Sequence, residues 1–115
     1  MAEEVQVVEE QKNDVCIVRV SGRLDAISSP DVEKKILEMI DGGKQKMALD
    51  FAGVDYLSSA GMRMLLAAMK KMNALSGSFV VFAIQDSVMD VLKMSGFDHV
   101  IALASNEEEA INKVS

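Results

Sequence analysis

The chain has 115 residues, half of them hydrophobic and 26% charged, with a formal net charge of −6 and a sequence pI near 4.7. That length makes one domain, residues 1–115, able to bury roughly two thirds of its unfolded surface. The acidic balance argues against nucleic acid as the main partner. A lone cysteine, Cys16, cannot form an internal disulfide. The opening Met-Ala-Glu-Glu carries no basic region or apolar signal segment, and no apolar run approaches the length of a membrane span. The expectation is a cytoplasmic protein without direct membrane insertion.

In chain order, Val5 to Glu10 reads as a short strand, followed by a polar turn at 11–14. Val15 to Val20 is apolar on both faces except at Arg19, which predicts a well-buried strand with Cys16 as a core residue. Residues 21–26 leave it as a loop. Ser28-Ser29-Pro30-Asp31 predicts a serine-capped helix, carried by Val32, Ile36, Leu37 and Ile40 and stopped by Asp41-Gly42-Gly43. Lys46 to Phe51 is the third strand.

A helix should follow from Ser59 to about Leu75, with Met62, Leu65, Leu66, Met69 and Met72 or Asn73 as the stripe facing the sheet. Met64 falls off that stripe; an exposed methionine there would be an adaptable partner contact, although core filling is the commoner role. Phe79 to Ile84 reads as a buried parallel strand. Asp86-Ser87 caps a third helix closed by Gly96, Val100 to Leu103 is a last strand, and Ser105-Asn106-Glu107-Glu108 fits a capping box for a helix over Glu107 to Val114. An opening hairpin and a helix, followed by three rounds of strand and helix, imply a mixed, mostly parallel sheet.

The residues for several chemistries are missing. One His and one Cys cannot furnish a metal site, and there is no Gly-x-Gly-x-x-Gly or Walker-type loop. Ser58 or Ser59 could be grouped with His99 and Asp25 or Asp55 as a hydrolase set. However, no glycine precedes either serine by two residues, so the Gly-x-Ser-x-Gly elbow is absent. No catalytic residue, cofactor or enzyme activity is expected.

The informative stretch is Leu49 to Arg63, a strand leading through Tyr56-Leu57-Ser58-Ser59-Ala60-Gly61-Met62-Arg63 into a long helix. A hydroxyl at a helix mouth sits beside free N–H groups and the positive end of the dipole, a setting that tolerates phosphate. Together with Gly22-Arg23-Leu24-Asp25-Ala26 after the second strand, and Met94-Ser95-Gly96-Phe97 at the end of the third helix, this loop resembles the STAS domain family. Within it, the chain is most similar to the free-standing bacterial anti-sigma factor antagonists.

The resemblance implies an α/β strand–helix superhelix with a mixed, mostly parallel five-stranded sheet and about four helices. It implies a partner that is an anti-sigma factor serine kinase of the histidine-kinase-like ATPase type, and a serine phosphatase that reverses its action. Carried over residue by residue, the phosphoacceptor is Ser59, with Ser58 as the alternative, because this chain has Ser58-Ser59-Ala60-Gly61 where many members have Asp-Ser-Ser-Gly. Asp25 corresponds to the loop acid beside the acceptor, and Asp25, Ser58, Ser59, Ala60, Gly61, Met62 and Arg63 form the expected partner-binding surface. Family members also serve as unphosphorylated scaffolds or accessory subunits, in stress-signalling complexes or lipid transporters. Phosphoserine adds about −1.5 to −2 charges. One like-charge contact at 4 Å costs about 4 kcal/mol at an effective dielectric near 20, so modification should weaken docking rather than refold the domain.

Overall fold

The computed structural model describes residues 5–115. Its elements are β1 (Gln6–Lys12), β2 (Val15–Leu24), α1 (Ser29–Asp41), β3 (Lys46–Leu57), α2 (Ser59–Ala74), β4 (Ser78–Phe82), α3 (Asp86–Ser95), a 3-10 turn (Phe97–His99), β5 (Leu103–Ala104) and α4 (Glu107–Val114). The five strands stand in sheet order β1-β2-β3-β4-β5. β1 runs antiparallel to β2 and the other pairs are parallel, the mixed α/β sheet that the element order implied.

Side-chain alternation sorts the two faces. Cys16, Val18 and Val20 of β2, Met47, Leu49 and Phe51 of β3, and Phe79 and Val81 of β4 pack with Ile36 of α1, Leu65 of α2 and Leu92 of α3. The opposite registers, Val15, Ile17, Ala48, Val80 and Phe82, meet Ala110 and Val114 of α4. The continuous apolar runs of β2 and β4 thus reflect a sheet covered on both faces. Arg19 interrupts the α4 side, and its guanidinium meets Asp50 at 2.8 Å, Glu10 at 2.9 Å and Glu107 at 2.9 Å. Lys12 also pairs with Glu107. One residue of the acidic run that opens α4, Glu107, therefore fastens that helix to β1 and β2.

Several expected boundaries move. β1 continues to Lys12, leaving a tight turn at Asn13, which adopts φ 55°. β2 extends through the anticipated loop to Leu24, and β3 runs past Phe51 to Leu57. The extension is stabilised by burial of Val54 and Leu57. Gly53 lies within the extended strand, where a Cβ would stand 2.6 Å from the Cβ of Ser21. β4 stops at Phe82, before Ala83 turns to φ 57°. The last strand is reduced to two residues, and Val100 stands exposed after the 3-10 turn.

The apolar stripe of α2 is also rotated from its expected position. Met64 is fully buried with Leu65, Ala68 and Met72, whereas Met62 and Met69 flank the core half-buried. The cause is that α2 must pack against α1 as well as the sheet, so its buried arc, through Gly61, Met64, Leu65, Ala68 and Met72, is centred one residue earlier. Met64 is therefore core, not a partner contact.

Candidate functional site

β2 and β3 end side by side, pairing Leu24 with Leu57, and the chain turns from each into a helix. Ser58 follows β3 in extended backbone and caps α2. Its Oγ accepts from the Gly61 N–H at 3.2 Å and donates to the Leu24 carbonyl at 2.8 Å. The Ser58 N–H donates to the same carbonyl at 2.9 Å. Gly61 is buried under this contact, where a Cβ would lie 2.6 Å from Leu57 Cδ1 and 3.1 Å from the Leu24 oxygen. A glycine there lets α2 begin against the end of β2.

Ser59 is the first residue of α2 and is exposed. Ala60 and Met62 are half-buried, and Arg63 is exposed one turn further on. The two serines thus differ physically. Ser58 is half-buried with its hydroxyl engaged as donor and acceptor, and Ser59 faces outward beside it.

Asp25 follows the residue whose carbonyl receives Ser58, so it stands next to the serine pair in the fold. Its Oδ1 accepts from the N–H groups of Ile27 at 3.0 Å and Ser28 at 2.9 Å. These bonds, led by the one from Ser28, hold its carboxyl below the usual aspartate range. Ser28 was expected to cap α1 through its side chain. Instead its backbone is already helical and its Oγ donates to the Arg23 carbonyl. The turn is organised by Asp25, because a serine in helical backbone cannot aim its oxygen at the N–H groups ahead of it.

A surface groove of about 380 Å³ separates the first turns of α1 and α2, lined by Ala26, Ser29, Pro30, Glu33, Ala60 and Arg63. Two exposed apolar residues border the site region in sequence: Ile27, 88% exposed, and Tyr56, whose ring carries the Arg23 guanidinium 4.1 Å from its centroid.

The hydrolase grouping is not assembled. His99 lies in the 3-10 turn with its side chain 86% exposed, 3.8 Å from the Asp98 carboxylate. Among the described residues there is no group of three His, Cys, Asp or Glu able to hold a metal, and no helix is long and apolar enough to cross a membrane. Cys16 is buried, and burial pushes its thiol up to about 11.

Fold and site together define a small α/β domain of strand–helix units that presents a serine at the mouth of its longest helix. The STAS domain model matches residues 6–110, and the chain belongs to the STAS domain family. The Anti-sigma F factor antagonist of Paenibacillus polymyxa is 27% identical over 111 residues, spanning 96% of this chain and 95% of that protein. The crystal structure of an anti-sigma factor antagonist from Mycobacterium paratuberculosis matches with a TM-score of 0.89 at 23% identity, over 99% of this chain and 98% of that one. SpoIIAA matches in its unphosphorylated form (TM-score 0.79, 24% identity, 95% of this chain and 96% of that one). The phosphorylated Bacillus SpoIIAA matches at TM-score 0.71 and 23% identity, over 96% of this chain and all of that one.

Proposed function

We propose that this protein is a cytoplasmic anti-sigma factor antagonist that works by partner switching. Unmodified, it binds an anti-sigma factor that is also a serine kinase of the histidine-kinase-like ATPase type, and so releases a sigma factor. The kinase transfers the γ-phosphoryl group of ATP to Ser59. The Oγ–phosphorus bond forms as the bond to the β–γ bridging oxygen breaks, ADP leaves, and the hydroxyl proton passes to a base on the kinase. A serine phosphatase hydrolyses the ester with water and restores the hydroxyl.

The observation that carries this reading is the division of labour at Ser58 and Ser59. The inner hydroxyl is occupied by the cap and the outer residue is exposed. The names of the relatives support the antagonist role, and the phosphorylated structure of SpoIIAA supports a modified state for a protein of this fold. Asp25, Ala60, Met62 and Arg63 form the docking surface of the proposal around the serines, whereas Gly61, expected on that surface, is buried under the cap and seats α2. A phosphate there places about two negative charges on a surface fitted to a neutral hydroxyl.

Peptide mass spectrometry after incubation with ATP and lysate of the source cells tests it. The expected result is one phosphate on Ser59 in the wild type and none in Ser59→Ala. Ser59→Ala should bind the anti-sigma factor as the wild type does, and Ser59→Asp at least tenfold more weakly. Phosphate on Ser58 would reassign the acceptor. No phosphate beside an active kinase control, or tight binding by Ser59→Asp, would overturn the switch and favour an unmodified scaffold or transporter subunit.

A further inference from the structure

The chain is rich in sulfur, with nine methionines and one cysteine in 115 residues, and the fold treats these side chains unequally. Met47, Met64 and Met72 are fully buried in the core. Met39, Met62 and Met69 pack against that core half-buried, and Met89 is half-buried at the start of α3. Among the described methionines Met94 alone is exposed, at 89%, in the last turn of α3. A thioether is a soft nucleophile that peroxides oxidise wherever they can reach it.

Two independent observations sharpen this contrast. The thiolate of a cysteine is ordinarily the sulfur an oxidant meets first. Here Cys16 is 1% exposed, and burial, followed by the Glu9 carboxylate 3.6 Å from its Sγ, keeps the thiol protonated. The competing sulfur is therefore withdrawn. The end of α3 also needs nothing from the Met94 side chain. Gly96, at φ 80°, donates its N–H to the Lys93 carbonyl at 3.1 Å, and the Ser95 hydroxyl donates to the Leu92 carbonyl at 3.0 Å. The helix terminates through its own backbone and a serine, so a polar group on Met94 disturbs no packing and no cap.

We propose that Met94 is a reversible oxidation site, converted by hydrogen peroxide to methionine sulfoxide while the domain stays folded. The sulfur lone pair attacks one peroxide oxygen and the S–O bond forms as the O–O bond breaks. Sulfur gives up two electrons, and the departing hydroxide takes the remaining proton and leaves as water. Methionine sulfoxide reductase reverses the step with two thiols, which become a disulfide as the oxygen departs as water. The product is polar and chiral where the thioether was apolar. α3 runs back from the carboxyl end of β4, so its last turn lies toward the opposite end of the sheet from Ser59. The oxidised position is thus separate from the serine site, and the inference does not depend on phosphorylation.

The test gives the folded, full-length protein a limiting pulse of hydrogen peroxide, quenches it with catalase, and measures sulfoxide at each methionine by peptide mass spectrometry. Met94 should oxidise at least about tenfold faster than Met47, Met64 and Met72, whose exposure requires opening of the core, and ahead of Met39, Met62, Met69 and Met89. In urea the rates should converge, because only the fold distinguishes these side chains. A half-buried methionine that oxidises as fast as Met94 in the native protein, or rates as unequal in urea as in buffer, would overturn the selectivity. Protein oxidised at Met94 should keep the unfolding midpoint of the wild type, as should Met94→Gln, which places a polar side chain there without an oxidant. Methionine sulfoxide reductases of both stereospecificities, supplied with a dithiol, should remove the added oxygen from the folded protein. A sulfoxide that persists under those conditions, or a midpoint lowered as far as that of Met64→Ala, would overturn the reversible site. None of these readouts involves Ser59, so this inference and the partner-switching reading fail separately.

Discussion

Replacing Ser58 and Ser59 separately by alanine tests whether the adjacent hydroxyls have different roles. Ser58→Ala removes an N-cap oxygen that accepts from Gly61 at 3.2 Å, a loss of about 1 kcal/mol. It also removes the donor to the Leu24 carbonyl at 2.8 Å. That oxygen keeps its bond from the Ser58 N–H at 2.9 Å, so the second loss lies at the low end of the usual range, about 0.5–1 kcal/mol. The sum is about 1.5–2 kcal/mol. At about 4 °C per kcal/mol for a domain of this size, the unfolding midpoint should fall by about 6–8 °C. Ser59→Ala removes an exposed hydroxyl from the first helical position and should change stability by less than about 0.5 kcal/mol. Thermal and urea unfolding followed by circular dichroism decide the matter, with unchanged m-values as the check that only stability has moved. If the two variants unfold together, the assignment of Ser58 to the cap and Ser59 to the surface is wrong.

Two further outcomes follow from the packing and the ion network. Met64→Ala should destabilise the domain by about 2–5 kcal/mol because Met64 is fully buried. Met94→Ala, at 89% exposure, should change stability by less than about 0.5 kcal/mol, and equal midpoints in urea would refute the rotated stripe. The hydrogen bond from Lys12, followed by that from Arg19, holds the Glu107 carboxyl below its ordinary 4.5. The folded state therefore favours the carboxylate, and the stability this provides is present above pH 4.5 and lost as pH falls through the lower folded value. Urea titrations across acid pH should show the gap between wild type and Glu107→Gln narrowing over that window. A gap independent of pH would show that the pairing does not tie α4 to the sheet.

Much of the architecture could be read from alternation and punctuation. The apolar runs at Val15–Val20 and Phe79–Ile84 have the pattern of strands covered on both faces, which holds for the first and, as far as Phe82, for the second. α4 falls on the expected residues, but its cap is Asn106 with Glu109, one residue later than the Ser105–Glu108 box read from the sequence. The misreadings share a cause, which is that tertiary contact overrode a local signal. Gly53 looks like a turn residue but serves a close approach to Ser21. Gly22 and Arg23 look like loop but pair with Val54 and Tyr56 across register shifts. Ser28 looks like a cap, yet Asp25 organises that turn. At the site, the serine pair and Asp25 were visible as motif. The burial of Ser29 was not, because nothing in Ser28-Ser29-Pro30 indicates which serine turns inward.

The sheet order gives the domain a simple assembly route. Every strand is hydrogen-bonded to its neighbour in sequence, β1 to β2 and onward to β5, so no crossover has to skip a position. Each parallel addition closes a loop only as long as one helix and its turns, and loop-closure entropy grows slowly at such lengths. Low sequence separation between paired strands favours rapid folding. The sheet can therefore grow from one edge, with each helix laid down before the next strand docks. The exception is the face bearing Val15, Ile17, Val80 and Phe82, which waits for α4, the final element, to cover it. Chain growth thus leaves one apolar surface open until the carboxyl-terminal turns arrive, when Ala110 and Val114 cover it and the ion pairs of Arg19 and Lys12 with Glu107 hold the helix in place.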